Sequence, residues 1–229
     1  MSMWVGAYAI LVEVIFTYTK TLAGWSKGEV IVILAFYYLI QNISDIFFKD
    51  NIESFGQAVR RGELDFRITK PVSLRMLSFF WEIRFDQLAG VIVTGILFWY
   101  GISHLSYTPK MIHIAAGLAV TVASLIFYYS LLVIIASLTF WVEKTDTFNV
   151  LIFNMSQLSR YPRAMYTDIF GKFLTFVIPM GLMASVPAEI ALKTVDYSWL
   201  AILVGLSALF YIISRVVWYY GIQRYTSAN

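Results

Sequence analysis

The chain has 229 residues, 59% of them hydrophobic and 14% charged, with a formal net charge of +3 and a mean hydropathy of +0.72. That is far more apolar surface than a water-soluble fold can hide. With no Cys, it excludes disulfides, thiolate metal sites and a Cys nucleophile, and only His104 and His113 could supply imidazole. The small positive charge gives no reason to expect a nucleic-acid partner, so where the Lys and Arg sit matters more than their sum.

An all-α integral membrane protein of six spans, forming a single transmembrane domain over 1–229, is the expectation. The first span, about 3–19, is the apolar run Trp4 to Tyr18, interrupted by Glu13 and stopped by Lys20. It is short for a full crossing, and a longer natural start is expected to account for that. No basic start with a small-residue cleavage site marks a signal peptide. The polar turn Gly24 to Glu29 leads to the second span, about 29–48, which ends at Lys49-Asp50 and so closes a helical hairpin.

Lys49 to Asp86 is the most polar stretch and carries seven of the 17 basic residues, which the positive-inside rule assigns to the cytoplasm. The third span, about 79–103, is expected as a helix that begins near Leu77 and carries Glu82, Arg84 and Asp86 on its cytoplasmic turns. The fourth, about 111–142, exceeds the bilayer core and projects into the cytoplasm. Glu143, Lys144 and Asp146 then form a short inner connection. The last span, about 198–220, ends before Gln223 and Arg224, which places the C-terminus inside.

Between them, about 147–160 reads as a short fifth span and about 169–192 as a re-entrant hairpin interrupted by Pro179 and Pro187. The rival reading of 169–192 is a conventional span, which would bring Arg160, Arg163 and Lys172 to the cytoplasmic side. Three ionisable groups fall within spans, Glu13, Asp45 and Arg215, each costing roughly 2.5–3.5 kcal/mol at a span centre. Asp45 and Arg215 lie near cytoplasmic ends, where snorkelling relieves the cost. Trp4, Trp25, Tyr100, Trp199, Tyr219 and Tyr220 fall near span ends and read as interfacial anchors.

Chemistry-bearing motifs are missing from the sequence. Gly171-Lys172 is followed by Phe173 and lacks the upstream glycine of a phosphate-binding loop, so any nucleotide hydrolysis belongs to a partner. His-Glu-x-x-His, paired metal ligands and a Gly-x-Ser-x-Gly elbow are absent too. The most informative stretch is Asn51 to Ser73. Ile52, Phe55, Val59 and Ala58 share one side of a short amphipathic helix, about 51–61, followed by Arg60-Arg61-Gly62-Glu63-Leu64-Asp65 and Lys70-Pro71-Val72-Ser73. Such a helix can dock on a soluble partner, and it reads equally as a basic loop attracted to anionic lipid headgroups.

At these residues the sequence resembles the permease subunits of ATP-binding-cassette (ABC) exporters of the type-2 membrane fold, in particular a bacterial family with an Arg-Gly-Glu-Leu-Asp signature and a Pro-Val-Ser turn. The resemblance continues, in order, through Gly24-Trp25-Ser26, Glu29-Val30, Arg84-Phe85-Asp86, Tyr128 to Leu132, Ala136 to Trp141, Arg160-Tyr161-Pro162, Thr175 to Pro179, Val186-Pro187-Ala188 and Arg224 to Ala228. It implies that Asn51 to Arg61 is a coupling helix entering a groove on a cytoplasmic ATPase, with Gly62, Glu63, Leu64, Asp65, Lys70 and Pro71 shaping its return to the membrane. It also implies an external re-entrant hairpin at 169–192. Relatives of this kind carry a basic interfacial helix before the first span, which this chain does not show.

The expected function is therefore a half-permease in a bacterial cytoplasmic membrane, both termini inside. It would pair with a second permease, identical or related, and with two copies of an ATPase that bind ATP and Mg, while this chain binds no cofactor. Replacing Phe55 or the Arg60-Arg61 pair is expected to abolish ATPase stimulation while leaving the permease folded. A non-transporting scaffold or sensor that borrows an ATPase is the alternative, followed by a secondary carrier, although only one half of the chain has a proline-broken segment.

Overall fold

The computed structural model describes residues 2–142, 146–166, 168–193 and 197–225, so the expected inner connection at Glu143 and Lys144 lies outside the described residues. Four helical stretches are long and apolar enough to cross a bilayer: Lys27–Phe47, Phe85–Ser103, Met111–Phe140 and Tyr197–Ile222. A bent pair, Ile169–Val177 with Met180–Leu192, makes five if it is one span.

α1 (Ser2–Tyr18) is apolar but only 17 residues long. It leads into a tight turn in which Leu22 and Trp25 exchange backbone hydrogen bonds of 2.9 and 3.0 Å. Ala23 and Gly24 both take positive φ (50° and 80°), the pattern of a type I′ hairpin turn. Ser26 opens α2 (Lys27–Phe47), its N–H donating to the Glu29 carboxylate at 2.8 Å.

α2 is the axis of the molecule. It is 83% buried, against 22% for the stretch ending at Ser103 and 17% for Tyr197–Ile222, so these outer helices leave their sides exposed. α2 packs along α6 (Leu88–Ser103), and α7 (Met111–Ser137) packs along α12 (Tyr197–Ile222). In lipid, helices associate through close backbone approach and interhelical hydrogen bonds rather than the hydrophobic effect. A Cβ on Gly101 of α6 would stand 2.9 Å from the Val32 side chain of α2. Asn42 of α2 donates to Thr94 of α6 at 2.9 Å, and Ser207 of α12 donates to the Ala123 carbonyl of α7 at 2.8 Å.

The third span differs from expectation. Residues 80–84 are not helical; a 3-10 turn, Phe85–Gln87, precedes α6 at Leu88. The cause is long-range pinning, because Arg84 N–H donates to the Ile46 carbonyl (2.9 Å) and the Asn51 amide bonds the Glu82 backbone N–H and C=O (3.2 and 2.8 Å). These bonds replace the helical ladder, so Glu82 and Arg84 ride on an extended segment beside the surface helix.

The 147–160 segment forms α8 (Asp146–Ser156), 11 residues long, and a 3-10 turn Gln157–Arg160. Eleven residues span only about 17 Å, roughly half a bilayer core. After it, α9 (Asp168–Lys172) runs into a π-helical turn, Phe173–Val177. The chain then bends by 71° at Ile178-Pro179 before α10 (Met180–Met183) and α11 (Ser185–Leu192).

Pro179 sits at the sharp break, whereas Pro187 only nicks the second arm. Its missing N–H frees the Met183 carbonyl, which accepts from Ser124 Oγ at 2.7 Å. The first arm exposes Ile169, Phe170 and Phe176, while Met180 to Leu192 are almost wholly buried against α7 and α2. Gly117 on α7 allows that contact, since a Cβ there would lie 2.6 Å from the Pro187 carbonyl.

Substituting Gly117→Val is therefore expected to destabilise the purified protein by about 1–3 kcal/mol, the usual range for overpacking. Gly205→Ala, where nothing lies within 4 Å of the new Cβ, should leave it unchanged. Thermal melting in mild detergent distinguishes the two.

Candidate partner-coupling surface

α2 ends at Phe47, and Phe48, at φ −147° and ψ −24°, turns the chain into α3 (Lys49–Arg60). Phe48 N–H donates to Ser44 and its carbonyl accepts from Ile52, both at 3.0 Å, so the corner is hydrogen-bonded on each side. The apolar stripe of α3 faces inward. Ile52 is 1% exposed and Phe55 0%, with Ala58 also buried and Val59 half-buried.

The Phe55 ring meets Phe79 at 5.3 Å, Trp218 at 5.4 Å and Phe140 at 5.8 Å. These residues belong to α5 (Leu74–Phe79), α12 and the 3-10 extension of α7, Leu138–Phe140. Ile52 and Phe55 thus hold the surface helix onto the spanning helices, so loss of Phe55 bears on the fold itself, against the expectation that its replacement leaves the permease folded. Leu64, 0% exposed, is likewise internal.

What faces outward is polar: Ser54, Gln57, Arg60 and Arg61 are exposed. Gly62 follows at φ 71°, a left-handed turn that suits glycine, and α4 (Glu63–Ile68) begins there. Glu63 pairs with Arg67 (3.5 Å) and Arg61 (3.8 Å), and Asp65 accepts from the Tyr225 hydroxyl at 3.0 Å, tying the chain's last described turn to α4. That contact and burial push the Tyr225 hydroxyl up from its ordinary pKa. Lys70 lies over Trp81 at 4.4 Å and Phe66 at 4.7 Å, a cation–π clamp that holds Pro71 exposed at the turn.

Beside the outer face, Asp50, Asn51, Ser54, Glu82, Arg84 and Asp86 line a polar groove of about 430 Å³. Arg84 bridges Asp50 and Asp86 and holds the Asp86 carboxyl below its ordinary range. Glu53, on the flank of α3, is pushed up by burial despite the nearby Lys49 charge. The apolar residues Phe66 (68% exposed), Met76 and Val72 extend the same surface beyond α4.

Arg75, Phe79, Phe140 and Trp218 were not singled out by the sequence, yet they anchor this surface. Arg75 donates to the Tyr129 hydroxyl at 3.2 Å and to Ser214 Oγ at 2.9 Å, joining α5 to α7 and α12. Pro179 and Pro187 lie elsewhere, in the bent segment 169–192, and are not part of this cluster.

The model of the ABC-2 family transporter proteins matches residues 2–229, and the chain belongs to that family. No curated protein and no solved structure gives a match. The chain is thus a multi-pass membrane component of an ABC transporter, a permease whose family works with an ABC ATPase.

Because Phe55 is fully enclosed by rings, Phe55→Ala should cost about 3–5 kcal/mol and lower the melting temperature sharply. Gln57→Ala, on the exposed face, should leave melting unchanged.

Proposed function

We propose that the chain is one half of an export permease of a bacterial cytoplasmic membrane, both termini cytoplasmic. It pairs with a second permease, identical or homologous, and with two copies of a separate ABC ATPase that binds ATP and Mg. α1, and α8 continued by the turns Gln157–Arg160 and Arg163–Met165, complete six crossings with the four long helices, and 169–192 is a re-entrant hairpin on the external side. The ATPase meets the outer face of α3 with Arg60, Arg61 and the Gly62 to Pro71 return.

One observation carries this reading: α3 is polar and exposed on one side while its other side is locked by Phe55 into α5, α7 and α12. A push delivered to the exposed face is passed to the spanning helices without loss in a soft linker. Ile52, Phe55 and Leu64 serve the coupling from inside, as the attachment, and Val59 flanks them. The basic residues Arg60 and Arg61 supply the charge that a partner groove complements.

Reversing that charge is the test. Arg60→Glu with Arg61→Glu should leave the melting temperature of the permease within a degree or two, yet abolish co-purification of a co-expressed ABC ATPase and its stimulation by the permease. An ATPase retained at full stoichiometry by the double variant would overturn the assignment of this face.

A further inference from the structure

Arg160 stands in an unusual place. The residue is 7% exposed, and its guanidinium carbon lies over the rings of Tyr8 at 3.9 Å, Tyr37 at 4.9 Å and Tyr38 at 5.8 Å. Tyr37 lies at the middle of α2, Lys27–Phe47, so the cation sits beside the middle of a helix long and apolar enough to span the bilayer. A charge there is costly, faces the protein interior, and marks a site by default.

The neighbouring cations are each matched to a carboxylate. Lys27 pairs with Glu13 (3.0 Å), Lys49 with Asp45 (2.9 Å), Arg163 with Glu189 (2.9 Å) and Lys193 with Glu29 (3.8 Å). Among the described residues no carboxylate pairs with Arg160. One terminal nitrogen, Nη1, donates to Gln157 Oε1 at 2.9 Å and Nη2 reaches the Tyr37 hydroxyl at 3.5 Å, while Nε and the buried Tyr38 hydroxyl have no hydrogen-bond partner.

This unmatched cation lines a pocket of about 330 Å³, within the usual range for a small-molecule site. Its other walls are Tyr8, Tyr37, Tyr38, Phe153, Gln157 and Lys49, the last already neutralised by Asp45. The pocket lies in the seam between α1, α2 and α8, where α1 exposes Ile10 and Val14 on its far side. The three rings surround the guanidinium and leave its Nε–H without a partner, a donor of the kind with which arginine grips phosphate or carboxylate. Aromatic walls around one positive edge suit an anionic head carried on an apolar body.

We propose that this pocket binds an anionic amphiphile, a phosphate or carboxylate on an apolar tail, with Arg160 as its counter-ion. Two sources share that chemistry, a membrane lipid and a soluble amphiphile. A role for the pocket as a station on the export path rests on the function proposed above; the binding itself does not.

The test uses the purified full chain in maltoside detergent, without ATP or partner, and reads thermal stabilisation on titration. Dodecyl phosphate should raise the melting temperature saturably, whereas inorganic phosphate, lacking the apolar body, should not. Arg160→Gln should weaken dodecyl phosphate at least tenfold, and Arg163→Gln, whose cation has its own carboxylate, should not. If Arg160→Gln fails to fold, Tyr38→Phe, which removes an unpartnered hydroxyl and keeps the ring, is expected to weaken it several-fold. Phosphatidylglycerol binding in place of dodecyl phosphate, lost in the same variants, would assign the site to lipid and support the proposal; binding of both would support either source. Equal affinity in wild type and the Arg160 or Tyr38 variants, stabilisation by inorganic phosphate alone at equal affinity, or no saturable shift with either amphiphile would overturn it. With no ATPase present, such a failure counts against the pocket and leaves the exporter reading untouched.

Discussion

The enclosure of Phe55 by Phe79, Phe140 and Trp218 is the contact on which the α3 end of this protein depends. Each aromatic pair adds about 0.5–1.5 kcal/mol beyond the area it buries, and the ring cluster is continuous, since Phe79 and Trp218 also touch at 5.0 Å. The surface helix therefore moves with the ends of α7 and α12. Arg75 reinforces the same joint through Tyr129 and Ser214, so α5 cannot swing away from it alone. α2 joins the same assembly through the corner at Phe48, the Asp45–Lys49 ion pair and the bond from the Arg84 N–H to the Ile46 carbonyl.

Within the membrane the interactions change kind. α2 is buried among α6, α7 and α11, and polar pairs such as Asn42 with Thr94 replace the aromatic cluster. Satisfying backbone groups governs the broken segment as well. The carbonyl that Pro187 strands at Met183 is answered by Ser124 on another helix, and the Met180 carbonyl accepts from Ser159 Oγ in the turn after α8. Irregular backbone at this depth survives because buried hydroxyls from neighbouring elements complete its hydrogen bonds.

Much of the fold could be read from local pattern. The long apolar runs became α2, α7 and α12, and the polar turn before Glu29 closes on a left-handed Gly24. The bend fell at Pro179, and Gly62 was required by a positive φ where the surface helix ends. Long-range pairing was not readable. An amphipathic stripe at Ile52 and Phe55 announces that one side is apolar, but nothing local says whether that side meets a partner or the protein's own core. In the same way Phe80 to Arg84 carries a sequence compatible with helix, and only bonds from Ile46 and Asn51, more than thirty residues away, hold it extended.

The same limit explains Arg160 and Arg163, which look alike in sequence on either side of a Tyr-Pro pair. One is matched by Glu189 and lies over Trp199 at 3.8 Å, a closed structural joint between the turn after α8, α11 and α12. The other is caged by three tyrosines with no paired carboxylate among the described residues. Tyrosine faces relieve part of the cost of burying a cation, which lets the side chain stay where a fully matched pair would leave no affinity for an incoming anion. A cation kept buried by rings rather than by charge is held in place and still available, and that combination distinguishes a binding group from a strut.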